Sequence, residues 1–179
     1  MDHQDHVALL QGGISNPGGI WAEFGSGRGA FTIALAEIIG PGGTIYSLDK
    51  DKGALQQQAQ MIQARFPENS PKIYYINEDY RNAVNLPALN GVVMANTLHF
   101  IEDTIPVLEL ILGYLHPGGC LILVEYNSDA GNTWVPYPLS YTTWQSIAGQ
   151  AGFERTQQLD KVPSRFMGEI YSAASYKKR

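Results

Sequence analysis

The chain has 179 residues, a length that suits one domain, and 44% of them are hydrophobic, enough for one sizeable core. Only 16% are charged, and 12 basic against 17 acidic side chains leave a net charge of −5, which argues against a phosphate-backbone partner. The single cysteine, Cys120, excludes a disulfide framework and a multi-cysteine metal site. The polar N-terminus has no apolar signal-peptide core. We therefore expect one cytoplasmic domain over residues 1–179 that binds neither nucleic acid nor membranes and holds no metal.

Short apolar runs of strand type alternate with stretches of helical period. The strand-like runs are Ile20–Phe24, Thr44–Leu48, Ile73–Ile76, Val92–Met94 and Leu121–Tyr126, and the helical stretches are Ala30–Ile39, Ala54–Phe66 and Val107–Leu115. This alternation predicts βαβ units and a parallel sheet that is covered on both faces. The link Asp79–Asn90 carries little helical signal and is predicted to be irregular.

The pattern changes in the last third of the chain. A helical segment is predicted over residues 140–152. Two strand-like runs then follow, Phe153–Val162 and Met167–Tyr176, separated by Pro163-Ser164-Arg165. Two such runs around a short turn predict an antiparallel hairpin at the edge of the sheet.

A glycine-rich loop, Gly25-Ser26-Gly27-Arg28-Gly29, connects the first strand-like run to the first helix of the alternating pattern. Glycines let the backbone turn sharply and approach a ligand, and the N–H groups of the helix start point at the same spot. The next strand ends at Asp49, where a carboxylate can accept both hydroxyl groups of a ribose. These features predict a nucleoside-cofactor site. The alternative is a tight turn without a ligand, in which Asp49 caps a helix.

Two nucleoside cofactors fit this loop. Gly25, Gly27 and Ala30 satisfy the fingerprint of a dinucleotide site, as in a nicotinamide-dependent oxidoreductase. Gly25, Gly27 and Gly29, with an acid at Glu23, follow instead the pattern of S-adenosylmethionine sites. A carboxylate at Glu23 would repel a pyrophosphate but is compatible with a sulfonium, which favours the second cofactor.

On these motifs the chain resembles the class I S-adenosylmethionine-dependent methyltransferases from its first strand to its terminal hairpin. The fourth-strand segment Met94-Ala95-Asn96-Thr97-Leu98-His99-Phe100 resembles that of small-molecule members of the family, such as those of quinone biosynthesis. The resemblance implies a Rossmann-like, doubly wound α/β fold: a seven-stranded sheet in the order 3-2-1-4-5-7-6, three layers and a terminal antiparallel hairpin. It also implies methyl transfer from S-adenosylmethionine to a small organic acceptor, with S-adenosylhomocysteine as the product.

The same resemblance implies which residues bind the cofactor. The acid Asp49 would bind the ribose, Asp79 would meet the adenine amino group, and Tyr80 would pack on the adenine. The full set of cofactor contacts that it implies is Glu23, Gly25, Ser26, Gly27, Gly29, Asp49, Lys50, Asp79, Tyr80 and Asn96.

Acceptor residues are expected at the carboxyl ends of the fourth and fifth strands, the edge where doubly wound sheets bind ligands. Segment 127–139 follows that edge without clear secondary structure and is predicted to be an acceptor lid. The acceptor-binding candidates are His99, Tyr126, Asn127, Trp134, Tyr137 and Tyr141. Alternatively, the aromatic residues cover the sheet edge.

His99 is the candidate general base for an acceptor that arrives protonated, with Glu125 and Tyr126 as second choices. The alternative is a histidine that is structural or only lines the pocket.

Residues 1–19 are predicted to form a thin cover segment over the cofactor. A helix at Val7–Gln11, or a partner chain in a homodimer, would complete this cover. One further alternative to the enzyme stays open, because methyl transfer needs no obligatory catalytic side chain. It is a catalytically silent protein that binds S-adenosylmethionine as a sensor.

Overall fold

The computed structural model describes all 179 residues and contains one seven-stranded sheet flanked by helices. The strands are β1 (Gly19–Phe24), β2 (Gly43–Leu48), β3 (Lys72–Ile76), β4 (Leu89–Ala95), β5 (Leu115–Tyr126), β6 (Arg155–Ser164) and β7 (Gly168–Tyr176). The helices are α1 (His3–Gln11), α2 (Ala30–Ile39), α3 (Lys52–Arg65), α4 (Ile105–Tyr114) and α5 (Tyr141–Gln150).

The strand order is β3-β2-β1-β4-β5-β7-β6. Strands β1 to β5 pair in parallel, whereas β7 runs antiparallel to both β5 and β6. The predicted order and the predicted terminal hairpin are both confirmed. The order reverses between β1 and β4, so the carboxyl ends of these two strands flank the crevice where this architecture binds ligands.

The side chains of β5 show how the three layers are arranged, because successive residues of this strand pack into apolar clusters on opposite faces of the sheet. Leu121 and Leu123 pack in the cluster that contains α4 and α5. Ile122 and Val124 pack in the cluster that contains α1, α2 and α3. Successive side chains of a strand point to opposite faces of the sheet. A strand that is buried on both faces therefore has an unbroken run of apolar residues. The predicted three-layer α/β/α arrangement is confirmed.

The start of β5 differs from the sequence-based boundary. The structure begins this strand at Leu115, which pairs with Leu89, whereas the apolar pattern begins at Leu121. The intervening Gly118 adopts a φ of +79°, and its N–H donates to the Lys177 carbonyl oxygen at 3.1 Å. Pro117, Gly118 and Gly119 therefore lie within the strand, as an irregularity that is hydrogen-bonded to the residue after β7.

The link between β3 and β4 contains no helix, as its sequence predicted. It lies against the sheet instead, with Tyr80, Val84 and Leu86 packed on the cluster that contains α4 and α5. The Val84 N–H donates to the Tyr114 hydroxyl at 2.8 Å. This arrangement holds Tyr80 at the carboxyl edge of the sheet.

The N-terminal segment forms helix α1, which packs against the layer that contains α2. A capping box between Asp2 and Asp5 caps the N-terminus of helix α1. Leu9 and Leu10 of this helix are fully buried in the cluster that contains α2. Two buried leucines fix this helix on the sheet layer, and no residue of 1–19 lines the cavity described below. The cover over the cofactor stays a prediction. The homodimer and the cytoplasmic location stay predictions.

No helix combines the length and the apolar character that crossing a membrane would require.

Candidate cofactor and acceptor site

A cavity of about 410 Å³ opens at the carboxyl ends of β1, β2 and β4, a size within the usual range of small-molecule sites. Its lining residues are Gly25, Asp49, Lys50, Asp79, Tyr80, Arg81, Asn96, Thr97, Phe100 and Ile101. Six of them are among the cofactor contacts that the resemblance implies. Thr97 and Phe100 belong to the fourth-strand segment that carries the resemblance, whereas Arg81 and Ile101 belong to no motif.

The glycine loop is fastened to the end of β2 by main-chain hydrogen bonds. The N–H groups of Gly25 and Ser26 both donate to the Leu48 carbonyl oxygen, at 2.9 and 3.0 Å. A Cβ on Gly25 would lie 2.2 Å from the Thr97 hydroxyl oxygen, so only glycine allows this approach. At Gly27, with a φ of +52°, a Cβ would meet nothing within 4 Å. The backbone of Gly27, at the tip of the loop, therefore faces open space and is not covered by a side chain.

Asp49 lies on the cavity wall, and a different acid caps the next helix. The Asp51 carboxylate accepts the N–H groups of Gly53 and Ala54 at the start of α3, at 2.8 and 3.1 Å. The Asp49 carboxylate instead accepts the N–H of Gly27 at 2.7 Å and that of Asp51 at 2.8 Å. The alternative in which Asp49 serves as the helix cap is thus not what the structure has.

Glu23 is buried beneath the loop and does not line the cavity. Its carboxyl group is hydrogen-bonded to the Thr32 hydroxyl, which in turn accepts the side-chain amide of Gln58. Burial raises the pKa of Glu23 to about 8, against the lowering effect of the Thr32 hydrogen bond. Because this group is largely protonated at neutral pH, its charge gives a weaker argument against a pyrophosphate than the sequence suggested.

Ser26 and Gly29 likewise face the protein interior rather than the cavity. The Ser26 hydroxyl accepts from the Ser47 hydroxyl at 2.7 Å and donates to the Gln58 side chain at 3.3 Å. Gly29 has a φ of +85° at the start of α2, and a Cβ there would lie 2.3 Å from the Gln58 side chain. Both residues therefore contact the protein interior on the side of the loop that faces away from the cavity.

Asp79 and Tyr80 also line the cavity. Arg81 donates from its Nε to both carboxylate oxygens of Asp79 at 2.9 Å, and this pairing lowers the pKa of Asp79. The Tyr80 hydroxyl donates to the Thr97 carbonyl oxygen at 3.1 Å, and its ring stacks on Phe24. The pairing with Arg81 is a feature that the sequence motifs did not indicate.

Asn96 supplies the clearest sign that the cavity receives a polar ligand. It is the one non-glycine residue with a positive φ, at 51°, and its side-chain oxygen is buried without a hydrogen-bond partner. Unpaired buried polar atoms are rare and call for an explanation. A ligand that donates hydrogen bonds would satisfy Asn96 together with Asp49 and Asp79. The hydroxyl and amino groups of an adenosine provide such donors, so the residues present fit S-adenosylmethionine.

His99 and Glu125 form a buried pair beside the cavity. The His99 Nδ1 lies 2.9 Å from both carboxylate oxygens of Glu125, and Glu125 is fully buried. The His99 ring contacts Phe100, which lines the cavity, with centroids 4.3 Å apart, and lies 6.0 Å from the ring of Tyr126. The sequence named Glu125 only as a second choice of base, without its link to His99.

The predicted lid, residues 127–139, is an irregular loop that is anchored at several points. Val135 and Leu139 are buried, and the Leu139 carbonyl oxygen accepts the Tyr171 hydroxyl at 2.9 Å. The Tyr137 N–H donates to the His99 carbonyl oxygen at 3.0 Å, which places this loop beside the histidine. Trp134, by contrast, is 76% exposed.

Two of the expected acceptor residues, Asn127 and Tyr141, make structural contacts in the protein. The Asn127 side chain donates to Glu169 at 2.8 Å and accepts the Tyr141 N–H at 3.0 Å. The Tyr141 hydroxyl accepts the Gln158 N–H at 3.1 Å, and its ring packs edge-on against Tyr171. Both residues join the loop to the terminal hairpin. Tyr126 packs against the exposed ring of Phe166 and, with His99, stays near the cavity.

Comparison with known proteins identifies the family to which the chain belongs. The model of a family described as "Methyltransferase domain" matches residues 22–121, more than half of the chain. The match runs from β1 into β5 and includes every residue that lines the cavity. The chain belongs to this methyltransferase family, and with its strand order it is a class I S-adenosylmethionine-dependent methyltransferase.

The relatives agree on methyl transfer and differ in the acceptors that their names state. A demethylmenaquinone methyltransferase from Geobacillus sp. (strain WCH70) is 32% identical over 103 residues, 55% of this chain and 42% of that protein. A ribosomal RNA small subunit methyltransferase H from Paracidovorax citrulli (strain AAC00-1) is 32% identical over 89 residues, 49% of this chain and 26% of that protein. These matches span less than half the length of the two curated relatives.

A solved structure extends the likeness over nearly the whole chain. Magnesium protoporphyrin IX methyltransferase from Synechocystis PCC 6803, with bound S-adenosylmethionine, has a TM-score of 0.72 and 19% identity, and covers 98% of this chain and 78% of that chain. At that identity the likeness shows the fold. The cofactor of the family is S-adenosylmethionine.

Proposed function

We propose that this protein transfers a methyl group from S-adenosylmethionine to a small organic acceptor in the cytoplasm. The observation that carries the proposal is the continuity of two surfaces at one sheet edge. The polar wall of Asp49, Asp79 and Asn96 meets an aromatic wall that begins at Phe100. Behind Phe100 lie the ring of His99, with centroids 4.3 Å apart, and the ring of Tyr126, 6.0 Å from that of His99. One ligand with polar donors and one flat apolar ligand can therefore lie side by side.

The polar wall provides the cofactor contacts in this proposal. Asp49 accepts the ribose hydroxyl groups, Asp79 accepts the adenine amino group, and the ring of Tyr80 packs on the adenine. The bare backbone from Gly25 to Gly29 approaches the methionine end, and Asn96 accepts a hydrogen bond through its unpaired oxygen. When bound, S-adenosylmethionine supplies an electrophilic methyl group on a positively charged sulfur, and S-adenosylhomocysteine is the product.

The residues of the chain contribute positioning and exclusion of water, which can supply much of the rate when the leaving group is good. Phe100 and Ile101 present apolar surface to the cavity next to Thr97. The loop 127–139 lies beside this wall through the hydrogen bond between Tyr137 and His99. An acceptor held between these elements would be shielded from solvent on its apolar face.

A small organic acceptor fits the charge of the chain better than a nucleic acid does. The net charge is −5, and the basic residues 177–179 form the only run of like positive charge. A nucleic-acid partner requires a basic surface that neutralises several phosphates. The aromatic residues near the cavity suit a compact ligand with an apolar body.

The first experiment is calorimetric titration of the purified protein with S-adenosylhomocysteine, with NADH as the parallel control. We expect micromolar binding of S-adenosylhomocysteine that Asp49→Ala and Gly27→Val abolish, and no binding of NADH. Binding of NADH alone would overturn the proposal and favour an oxidoreductase.

Turnover is then measured as release of S-adenosylhomocysteine against a panel of phenols, quinols, amines and thiols. Methylation of one class supports the proposed enzyme. Cofactor binding without turnover of any acceptor would favour the catalytically silent sensor.

A further inference from the structure

The buried pair of His99 and Glu125 joins the ends of two neighbouring parallel strands beside the cavity. His99 follows β4 in a short 3₁₀ turn, Leu98–Phe100, and Glu125 is the penultimate residue of β5. The side chain of Glu125 is 0% exposed and that of His99 is 4% exposed. Taking a carboxylate out of water costs several kcal/mol, so a buried pair of this kind is weak evidence for a role in stability.

The hydrogen bonds of Glu125 determine which nitrogen of His99 carries the proton. Oε1 of Glu125 accepts the N–H of Tyr126 at 2.7 Å, and both carboxylate oxygens face Nδ1 of His99. A carboxylate that accepts from two donors is satisfied as an anion, so Nδ1 carries the hydrogen. All hydrogen bonds of the imidazole within the protein are made by Nδ1. Nε2 therefore keeps its lone pair and has no protein partner.

We propose that His99 removes a proton from the methyl acceptor through Nε2 and that Glu125 is the positioning residue that fixes its tautomer. This inference rests on the proposed function and narrows the acceptor to a compound with a hydroxyl or N–H group. The acceptor O–H or N–H bond breaks, and its electron pair stays on the oxygen or nitrogen. The proton passes to Nε2, and the resulting imidazolium is paired with the Glu125 carboxylate.

The other ionisable groups around this pair are less suited to the task. Tyr126 has a raised pKa because of burial and the charge of Glu125. The pKa of Tyr171, which faces Glu125 from β7, is raised by burial, by Glu125 and by Asp129. Both phenols therefore stay protonated at neutral pH. The imidazole of His99 is the remaining group of this cluster that can accept a proton, through the lone pair of Nε2.

The test begins with the imidazole nitrogens, because their NMR signals report the tautomer without any acceptor. Protein labelled with ¹⁵N-histidine is compared with Glu125→Gln, and His99→Gln assigns the signal. We expect a protonated Nδ1 and a bare Nε2 in the parent protein at pH 8. In Glu125→Gln the side-chain amide donates to Nδ1, so the proton moves to Nε2. Glu37→Gln is the matched control, since Glu37 pairs with the surface His3 and leaves the His99 signal unchanged.

The kinetic arm uses the acceptor that turns over fastest in the panel described above. We expect Glu125→Gln and His99→Gln to lower kcat by about 100-fold or more, with the affinity for S-adenosylhomocysteine unchanged. The acidic limb of the pH profile of kcat should disappear in His99→Gln. Should Glu125→Gln not fold, Glu125→Asp retains the carboxylate and is expected to keep the tautomer while lowering kcat.

A protonated Nε2 in the parent protein, or an unchanged kcat in Glu125→Gln, would overturn the assignment. Turnover only of acceptors without a hydroxyl or N–H group would do the same. Failure to bind S-adenosylhomocysteine would instead count against the proposed function, because neither residue lines the cavity.

Discussion

The backbone N–H of Gly27 donates to Oδ2 of Asp49 at 2.7 Å, so one carboxylate joins the tip of the glycine loop to the end of β2. The other oxygen, Oδ1, accepts the N–H of Asp51 at 2.8 Å. Each carboxylate oxygen can accept two hydrogen bonds, so both keep one acceptor site for a ligand. The acid proposed to bind ribose therefore also organises the loop that would receive the rest of the cofactor.

Asp49→Asn should weaken S-adenosylhomocysteine binding by about 10- to 100-fold, because hydrogen bonds to a charged group contribute roughly 1.5–3 kcal/mol. The amide has the same shape but presents only one acceptor oxygen to Gly27, Asp51 and the ligand. Isothermal titration calorimetry measures the affinity. Asp51→Asn is the matched control, because asparagine caps a helix as well as aspartate does. Equal affinities in the parent and Asp49→Asn would remove Asp49 from the cofactor contacts.

The two glycines of the loop should respond differently to alanine. Gly25→Ala should lower the free energy of unfolding by about 2 kcal/mol or more, since its φ is +72° and the new Cβ would clash with Thr97. Gly27→Ala should cost only about 1 kcal/mol for its positive φ, because nothing lies within 4 Å of the new methyl group. Urea unfolding measures both values.

The same two variants separate stability from binding. If the loop tip receives the cofactor, Gly27→Ala loses affinity for S-adenosylhomocysteine although it remains folded. Gly42→Ala is the control, because a Cβ there meets nothing within 4 Å and its φ is not positive. An undiminished affinity of Gly27→Ala would contradict the proposed approach of the backbone to the ligand.

The fold could be predicted from the sequence because each element carries its own local signal. The apolar run of β5 and the helical period of α2 both follow from burial of the side chains against the sheet layers. The cofactor wall followed from the glycine loop and from the acids at two strand ends. Such signals are short-range, so they locate residues at the sheet edge without showing which way each side chain faces.

What the sequence could not show depends on contacts between distant residues. Glu23 was expected to touch the cofactor, but burial against Thr32 turns it away from the cavity. The pairing of His99 with Glu125 joins two strand ends 26 residues apart, and neither local sequence predicts it. The helix expected at Val7–Gln11 begins four residues earlier in the structure, at His3, where a capping box between Asp2 and Asp5 starts it.

Neighbouring residues of the loop 127–139 should differ sharply in their effect on stability. Val135→Ala should lower the free energy of unfolding by about 1–2 kcal/mol, because this side chain is buried. Trp134→Ala should change it by no more than ~0.5 kcal/mol, because 76% of Trp134 is exposed. Urea unfolding gives both values. A loss above about 1 kcal/mol for Trp134→Ala would favour the alternative that the aromatic residues cover the sheet edge.

Glu23 should make the protein less stable as the pH rises from about 5 to 8. Burial raises the pKa of Glu23 from 4.5 to about 8 in the folded protein. Between these values the folded state binds more protons than the unfolded state, so the free energy of unfolding falls with increasing pH. The stabilising contribution of the protonated carboxyl is complete below 4.5 and is lost as the pH rises through the folded pKa of about 8.

Glu23→Gln tests this linkage, because glutamine has nearly the same shape as the protonated acid and does not ionise. The variant should gain stability relative to the parent protein between pH 5 and pH 8, as measured by urea unfolding at several pH values. Glu102→Gln serves as the control, since it replaces an exposed carboxyl rather than a buried one. A difference between the parent protein and Glu23→Gln that is independent of pH would mean that Glu23 binds the same number of protons in the folded and unfolded states, so that the buried carboxyl is ionised across this range.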